Sequence, residues 1–527
     1  MHNMKTGFIT FLLMICSCIL MNAQNPYLPM WEYVPDGEPY VFEDPDNPGK
    51  SRIYIYGSHD TRRTDYCGRD LVVWSAPVEN PTQWRYDGVI FEVESNLLYA
   101  PDVAEVTDSE TGRKVYYLYP NNEEKGRKSM VAKADRPDGP FEVCNWSKTD
   151  KTVTEGVIGF DPAVLVDDDG RVYAYWGIEN SYAAEIDPQT MATLKPGTQV
   201  IDGMITDMRE SGIFRFFEAS SIRKIKDKYV FIYSRWADNG EFGLQDTPYT
   251  LAYAYSDSPL GPYTFGGTII DARGRDTGLN GRSVYTAHPS GNTHGSIALV
   301  NGQWYVFYHR QTGKSWYSRQ AMVAPISVEV EEGPGGRVCI SEGEYTSEGF
   351  HTEGLDPLKK YSAGITCYYT GPYGAYNVYP YYLFSGSYVQ PRYVEELTPA
   401  ILKDPYNIKY NHNPVVNNTD GSVVGYKYFN FMGINKNKHV SLALELMPQG
   451  VDGEIEVMAG APYESKGGVL VGIVKLSSDM PCKMCKLTTD VTEVLKQNGK
   501  TAIYLRMKSA DKHVSLCELH YLRFVVK

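Results

Sequence analysis

The chain has 527 residues, enough for two or three domains, and its charged and apolar fractions (22% and 42%) are those of a folded globular protein. A net charge of −13 argues against nucleic acid or an anionic membrane surface as a partner and suits a neutral substrate. Tyrosine is abundant at 42 residues, and with many Gly and Pro it favours strands and turns over helices.

Residues 1–23 read as a secretory signal. Lys5 supplies the positive charge, FITFLLMICSCILM the apolar segment, and Ala23 the cleavage position. Lipid attachment at Cys18 is the minor alternative. Either route exports the protein to the periplasm, cell surface or medium. No later apolar run is long enough to span a membrane.

VPDGEPYVF then sets Asp36 and Glu38 ahead of an apolar run. A turn accounts for Asp36 but not for Glu38. From here a short aromatic strand recurs: RIYIYGS from Arg52, KVYYLYP from Lys114, RVYAYWG from Arg171, KYVFIYS from Lys228 and QWYVFYH from Gln303. Each is preceded by a shorter apolar strand (EPYVF, APDVAEV, DPAVLV, EASSIRKI, HGSIALV). Each is followed by a further strand-and-turn unit, most clearly MVAKADRPDGPFEV and LAYAYSDSPLGPYTF. Five units of about four strands predict a five-bladed β-propeller over residues 24–335. Asp167, Asp168 and Asp169 in VDDDGRVY read as hairpin-turn chemistry rather than a calcium loop.

Past about residue 340 the pattern changes, with GPGG at 333–336 marking the crossing. Alternating strands from GYKYFNF to SLCELHYLRFVV predict an antiparallel β-sandwich over 340–527. Only VTEVLKQNG reads as helical. The tyrosine-rich run Tyr368 to Tyr388 could stack on sugars or pack the sandwich against the propeller, with equal weight. Seven scattered cysteines follow the signal, which is no disulfide framework beyond one local bridge. Cys482, Cys485, Cys517 and His520 have zinc-like spacing, but the strand alternation around Cys517 points the last two apart.

In a propeller the first strand of each blade lines the axis. The residues starting those strands would therefore converge: Glu38, the Ala100–Asp102 stretch, Asp161, Glu218 and His294. Convergent carboxylates are costly unless a site uses them. Glu218 lies beside Phe216 and Phe217, an environment that raises a carboxyl pKa as a general acid requires. A carboxylic acid with a carboxylate suits glycosidic bond hydrolysis.

FDPAVLVDDDGRVYAYWG, FFEASSIRKIKDKYVFIYS and NTHGSIALVNGQWYVFYHR together resemble glycoside hydrolase family 43, and LYAPDVAEV resembles its W-A-P-D segment with Tyr99 for Trp. The likeness runs from about Pro26 to Val330. It implies a five-bladed propeller and an inverting mechanism acting on arabinosyl, xylosyl or galactosyl linkages of plant oligo- or polysaccharides. By position, Glu218 resembles the general acid and Asp161 the residue that tunes and orients it. His294 resembles an axial histidine that in some relatives stands by a calcium or sodium ion; no cofactor is otherwise implied. Arg319 resembles an arginine near the substrate, and Phe217 and Asp102 are further substrate-binding candidates. The family has Asp-Pro where this chain has Glu38-Pro39. Matching EPYV to DPAV favours Glu38 as base, with Asp36 the rival. GYKYFNF resembles a family-6-type carbohydrate-binding module. The alternative is a non-catalytic carbohydrate-binding protein on the same scaffold. A retaining fructosidase ranks lower, because its W-M-N-D-P opening is missing.

Overall fold

The computed structural model describes residues 24–63, 65–207, 212–238, 240–244, 246–279, 281–287, 292–315, 317–371 and 386–527. The expected signal segment lies outside them. Among the described residues, no helix is long and apolar enough to cross a membrane.

The fold is nearly all β. Blade 1 is Glu38–Glu43, Ser51–Gly57, Asp70–Pro77 and Arg85–Glu92, paired in that order. Blades 2, 3 and 4 repeat the four-stranded order, starting at Leu98–Thr107, Ala163–Val166 and Phe216–Ile225. Blade 5 has Gly295–Val300, Gln303–Gln311 and Arg319–Ile326. Its outer edge meets the segment before blade 1. Asn25 Nδ2 donates to the Val323 carbonyl at 2.7 Å, and the Val323 and Tyr27 amides bond back across the seam. This closes the ring.

The aromatic strands are not alternating because both faces of a blade are covered by its neighbours. Tyr54 and Tyr56 pack toward Leu118 and Ala132 of blade 2, while Ile53 and Ile55 pack toward Phe307 and Val323 of blade 5. The same holds around the ring, with Trp176 against Val131 and Tyr175 against Phe231. Each such fully buried side chain stabilises the fold by about 1.5–3 kcal/mol.

The second domain is a β-sandwich. One sheet contains Val440–Pro448 between Cys485–Asp490 and Cys517–Val526; the other contains Lys500–Ser509 between Val423–Asn430 and Gly453–Ala459. Leu442, Leu444, Ile455, Val457, Leu505 and Phe524 fill the space between them. The sandwich shares a core with the propeller: Tyr368, Met458 and Tyr504 pack in one cluster with Ile232 and Val306.

Three expectations change. GPGG is not the crossing between domains. It is the turn of a hairpin pairing Val328–Val330 with Val338–Ile340, and Gly333 and Gly335 take positive φ there. The chain passes to the sandwich after Ile340, beyond the boundary expected at 335–340. VTEVLKQNG forms only a 3-10 turn, Thr492–Lys496, pinned by buried Val494 and Leu495. A short α-helix forms instead at Pro399–Lys403, where the Thr398 side chain caps it by accepting from the Ile401 amide, a cap that Thr492–Lys496 lacks. The seven described cysteines are all free thiols, without the local disulfide. Of the tyrosine-rich run, Tyr368 and Tyr369 are buried at the propeller, where the Tyr369 amide donates to Thr286. Residues 372–385 lie outside the described ones.

Candidate active site

Strand pairing fixes which residues are equivalent between blades. Glu38 pairs with Tyr56, and Ala163 pairs with Tyr175, the same position of the aromatic strand. In blades 4 and 5 the corresponding pairs are Ser221 with Ile232 and Ser296 with Phe307. Glu38, Ala163, Ser221 and Ser296 therefore form one layer of the axial channel. The Ser221 hydroxyl bridges two of the others, reaching Glu38 Oε1 at 2.8 Å and Ser296 Oγ at 2.7 Å.

The layer above comes two residues earlier: Asp36, Asp161 and His294, with Glu218 joining from blade 4. Asp36 and Asp161 both take left-handed φ, 58° and 47°, two residues before their strands. That turn aims each carboxylate at the mouth. Glu218 gets there by a β-bulge. The pairing of its strand shifts on either side of it, and Ala219 takes φ 66°. Together with Tyr66, Cys67, Tyr99, Ala100, Phe160, Tyr249, Asn292 and Arg319, these four line a cavity of about 160 Å³.

The register that favours Glu38 as base is thus two residues out: Asp36, not Glu38, is the counterpart of Asp161. Glu38 is buried in the channel, paired with Arg223 at 2.8 Å. Asp102 is not a pocket residue either. It accepts from Tyr40 at 2.7 Å and from the Val164 amide at 2.5 Å, between blades. Phe217 stands behind the pocket wall, edge-on to Trp236 and Tyr249, so it supports Tyr249 rather than lining the cavity. Arg319 lines the cavity, but its guanidinium is engaged by carboxylates. Nε and Nη2 grip Asp60 at 2.9 and 2.7 Å, and Nη1 reaches both oxygens of Asp36 at 3.1 and 3.2 Å.

The two main carboxyls are held in opposite protonation states. Burial opposes ionisation of Asp36, but the Arg319 guanidinium and a 2.5 Å bond from Ser58 hold it below the usual carboxylate range. His309 is itself neutral, pushed down to about 3 by burial. Its Nδ1 accepts the Asp36 amide at 3.0 Å, so its proton sits on Nε2, facing Asn292 at 2.6 Å. Glu218 is pushed up to about 8, first by burial and then by the charge of Asp36. Asp161 is also raised by burial and by Glu218, yet it accepts from the Ala219 amide at 3.1 Å and from Asn121 at 3.0 Å. Those bonds favour the charge on Asp161 and leave the shared proton to Glu218.

His294 is buried, with its pKa lowered by burial, and its Nδ1 lies 3.6 Å from Asp161. Neutral His294 and Glu38 Oε2, which is buried without a hydrogen-bond partner, are two donors near the axis. Among the described residues no group of three or more His, Cys, Asp or Glu could hold a metal. The residues present do not fit an ion caged by side chains, and no step below uses one.

Ser58, Asp60, Asn121, His309, Tyr66 and Tyr249 were not singled out from the sequence. The signal for two of them was the SHD triplet directly after the first aromatic strand.

A propeller funnel that gathers Asp36, Asp161 and Glu218 at one cavity is suited to glycosidic bond hydrolysis. Residues 43–332 match the model for glycosyl hydrolases family 43, and the chain belongs to that family. It is a glycoside hydrolase, which sets aside the non-catalytic alternative. It is 33% identical over 439 residues to a xylosidase/arabinosidase of Thermoclostridium stercorarium, covering 79% of this chain and 84% of that one. It is 30% identical to xylosidase/arabinosidase 43A of Humicola insolens, over 53% of this chain and 88% of that one. Among solved structures, the Bacillus subtilis arabinoxylan arabinofuranohydrolase in complex with cellotetraose is 18% identical. It covers 95% of this chain and 97% of that one, with a TM-score of 0.45.

Proposed function

We propose that the protein is an inverting, exo-acting glycosidase that removes arabinosyl or xylosyl units from plant polysaccharides, with Asp36 as base and Glu218 as acid. The observation that carries this reading is the meeting of the two carboxyls in one small cavity, with Asp36 paired to Arg319 at 3.1 Å and Glu218 lining the same space; Arg319 favours the charge on Asp36, and burial favours the proton on Glu218. The cavity is small, about 160 Å³, which suits one sugar ring rather than a chain.

In this mechanism Glu218 gives its proton to the glycosidic oxygen as the anomeric C–O bond breaks. A water on the opposite face attacks the anomeric carbon and passes a proton to Asp36. The products are an alcohol and a sugar of inverted configuration; solvent then returns the two carboxyls to their starting states. Arg319 keeps Asp36 ionised and fixed in place. Asp161, held by Asn121 and the Ala219 amide, orients the bulge that carries Glu218. The xylosidase and arabinosidase names of the relatives support the pentosyl preference.

Residues 1–23 support export as part of the proposal. A sugar-binding role for the sandwich rests on the resemblance of GYKYFNF to a family-6-type carbohydrate-binding module. The direct test is proton NMR of the first-formed sugar from aryl arabinofuranoside, xyloside and galactoside. Inverted product from a pentoside supports the reading; retained configuration, or turnover of galactosides alone, overturns it.

A further inference from the structure

We propose that His59 is a positioning residue: clamped between Glu32 and Asp70, it fixes the Ser58–Asp60 segment whose outer side chains hold Asp36 and Arg319. The proposal rests on the reading of Asp36 as the base.

The second strand of blade 1 ends at Gly57, and three consecutive side chains then diverge. Ser58 Oγ donates to Asp36 Oδ2 at 2.5 Å. Asp60 takes two nitrogens of Arg319, whose third reaches Asp36. His59 lies between them in sequence but does not line the cavity. Its Nδ1 is 2.6 Å from Asp70 Oδ2 and its Nε2 is 3.0 Å from Glu32 Oε1. With a carboxylate at each nitrogen, both nitrogens carry protons and the ring is an imidazolium. Burial opposes that charge, but Glu32 and Asp70 outweigh it and push the ring up to about 10. Tyr86 is a further titratable group beside these carboxylates. Glu32 is anchored in turn by Trp74 Nε1–H at 3.0 Å and by the Tyr33 amide at 3.2 Å.

The backbone on either side is wedged. A Cβ on Gly57 would stand 2.4 Å from the Pro35 carbonyl oxygen, next to Asp36. A Cβ on Gly68 would stand 2.3 Å from Thr61 Oγ1 and 2.8 Å from the His59 carbonyl oxygen. The Asp60 amide also bonds the Tyr33 carbonyl at 2.9 Å, and Cys67 donates its amide to Asp60 at 2.8 Å. In so close a seat the imidazolium cannot shift without carrying Ser58 and Asp60 with it. The contacts that keep Asp36 ionised would then lengthen.

The test uses the full-length chain with His59→Gln, which removes the cation, and Asp70→Asn, which keeps the shape and removes one clamp. Two readouts are taken: the pH profile of kcat and KM on an aryl pentoside, and a 13C carboxyl titration of Asp36, assigned with Asp36→Asn. Loosened geometry should lower kcat about tenfold with KM little changed, and move the Asp36 midpoint up by about one pH unit or more. A merely structural role would lower the melting temperature and leave kcat and the midpoint unmoved, and that result overturns the proposal. If His59→Gln does not fold, an unmoved midpoint in Asp70→Asn overturns it alone. An inactive wild type would sink the base reading, while the Asp36 titration would still decide whether His59 positions that carboxyl.

Discussion

Glu218→Gln should abolish turnover and, at alkaline pH, make the protein more stable. In the folded state burial and Asp36 push this carboxyl from its ordinary value near 4.5 to about 8. The folded state therefore keeps a proton that the unfolded chain has already released. Such a group contributes stability that is fully present below about pH 4.5 and is lost as pH rises to about 8. At ~1.4 kcal/mol per pH unit the ceiling is ~5 kcal/mol. Sharing of the proton with Asp161 brings the expected figure to a few kcal/mol. Glutamine has the same shape and never ionises, so it escapes this loss. The assay is urea unfolding of wild type and Glu218→Gln at pH 5 and pH 9. The stability difference should widen by a few kcal/mol in favour of the variant at pH 9. An equal difference at the two pH values would refute the reasoning, because Glu218 would then titrate alike in both states.

The activity profile should be bell-shaped, since turnover needs Asp36 ionised and Glu218 protonated. Its alkaline limb should fall near pH 8, and its acid limb should be set by Asp36 near 2 or by acid unfolding if that comes first. Loss of activity with a midpoint near pH 5 on the alkaline side would contradict this. Arg319→Met should cost about 3–5 kcal/mol in chemical denaturation, because it leaves Asp60 and Asp36 buried and unpaired; a loss under about 1 kcal/mol would show that those carboxylates find other partners. Truncation after Ile340 should give insoluble protein, because it strips Tyr368, Met458 and Tyr504 from a core shared with Ile232 and Val306. A soluble, cooperatively folding propeller would contradict it.

Five-fold repetition was legible because the blades bury both faces of their middle strands, leaving aromatic runs that recur. The convergence of Asp161, Glu218 and His294 was legible for the same reason: each sits at the start of a recognisable strand. The EP and DP dipeptides look alike and leave Glu38 and Asp36 as rivals, whereas cross-strand pairing puts Glu38 level with Ala163, and so Asp36 level with Asp161. In blades 1 and 3 a left-handed residue ahead of the first strand decides which carboxylate faces the mouth, and side-chain pattern does not report φ. The supporting residues were hidden for another reason. Asp60 and Arg319 are 259 residues apart, and Asp36 and His309 are 273 apart. A single sequence carries no record of such pairs. Phe217, a substrate-binding candidate, packs on Trp236 and Tyr249 rather than lining the cavity, and the bulge at Glu218 that breaks strand alternation is not visible in the side-chain pattern.

The proposed mechanism makes Asp36, not Glu38, the base. Its most direct test is kcat/KM of Asp36→Asn and Glu38→Gln on the best aryl pentoside, with folding checked by circular dichroism. Asp36→Asn should lose about 10²–10⁴-fold, the usual worth of a general base, while Glu38→Gln, out of reach in the channel against Arg223, should stay within about tenfold of wild type. A folded Asp36→Asn that keeps wild-type activity while Glu38→Gln is dead would contradict the account.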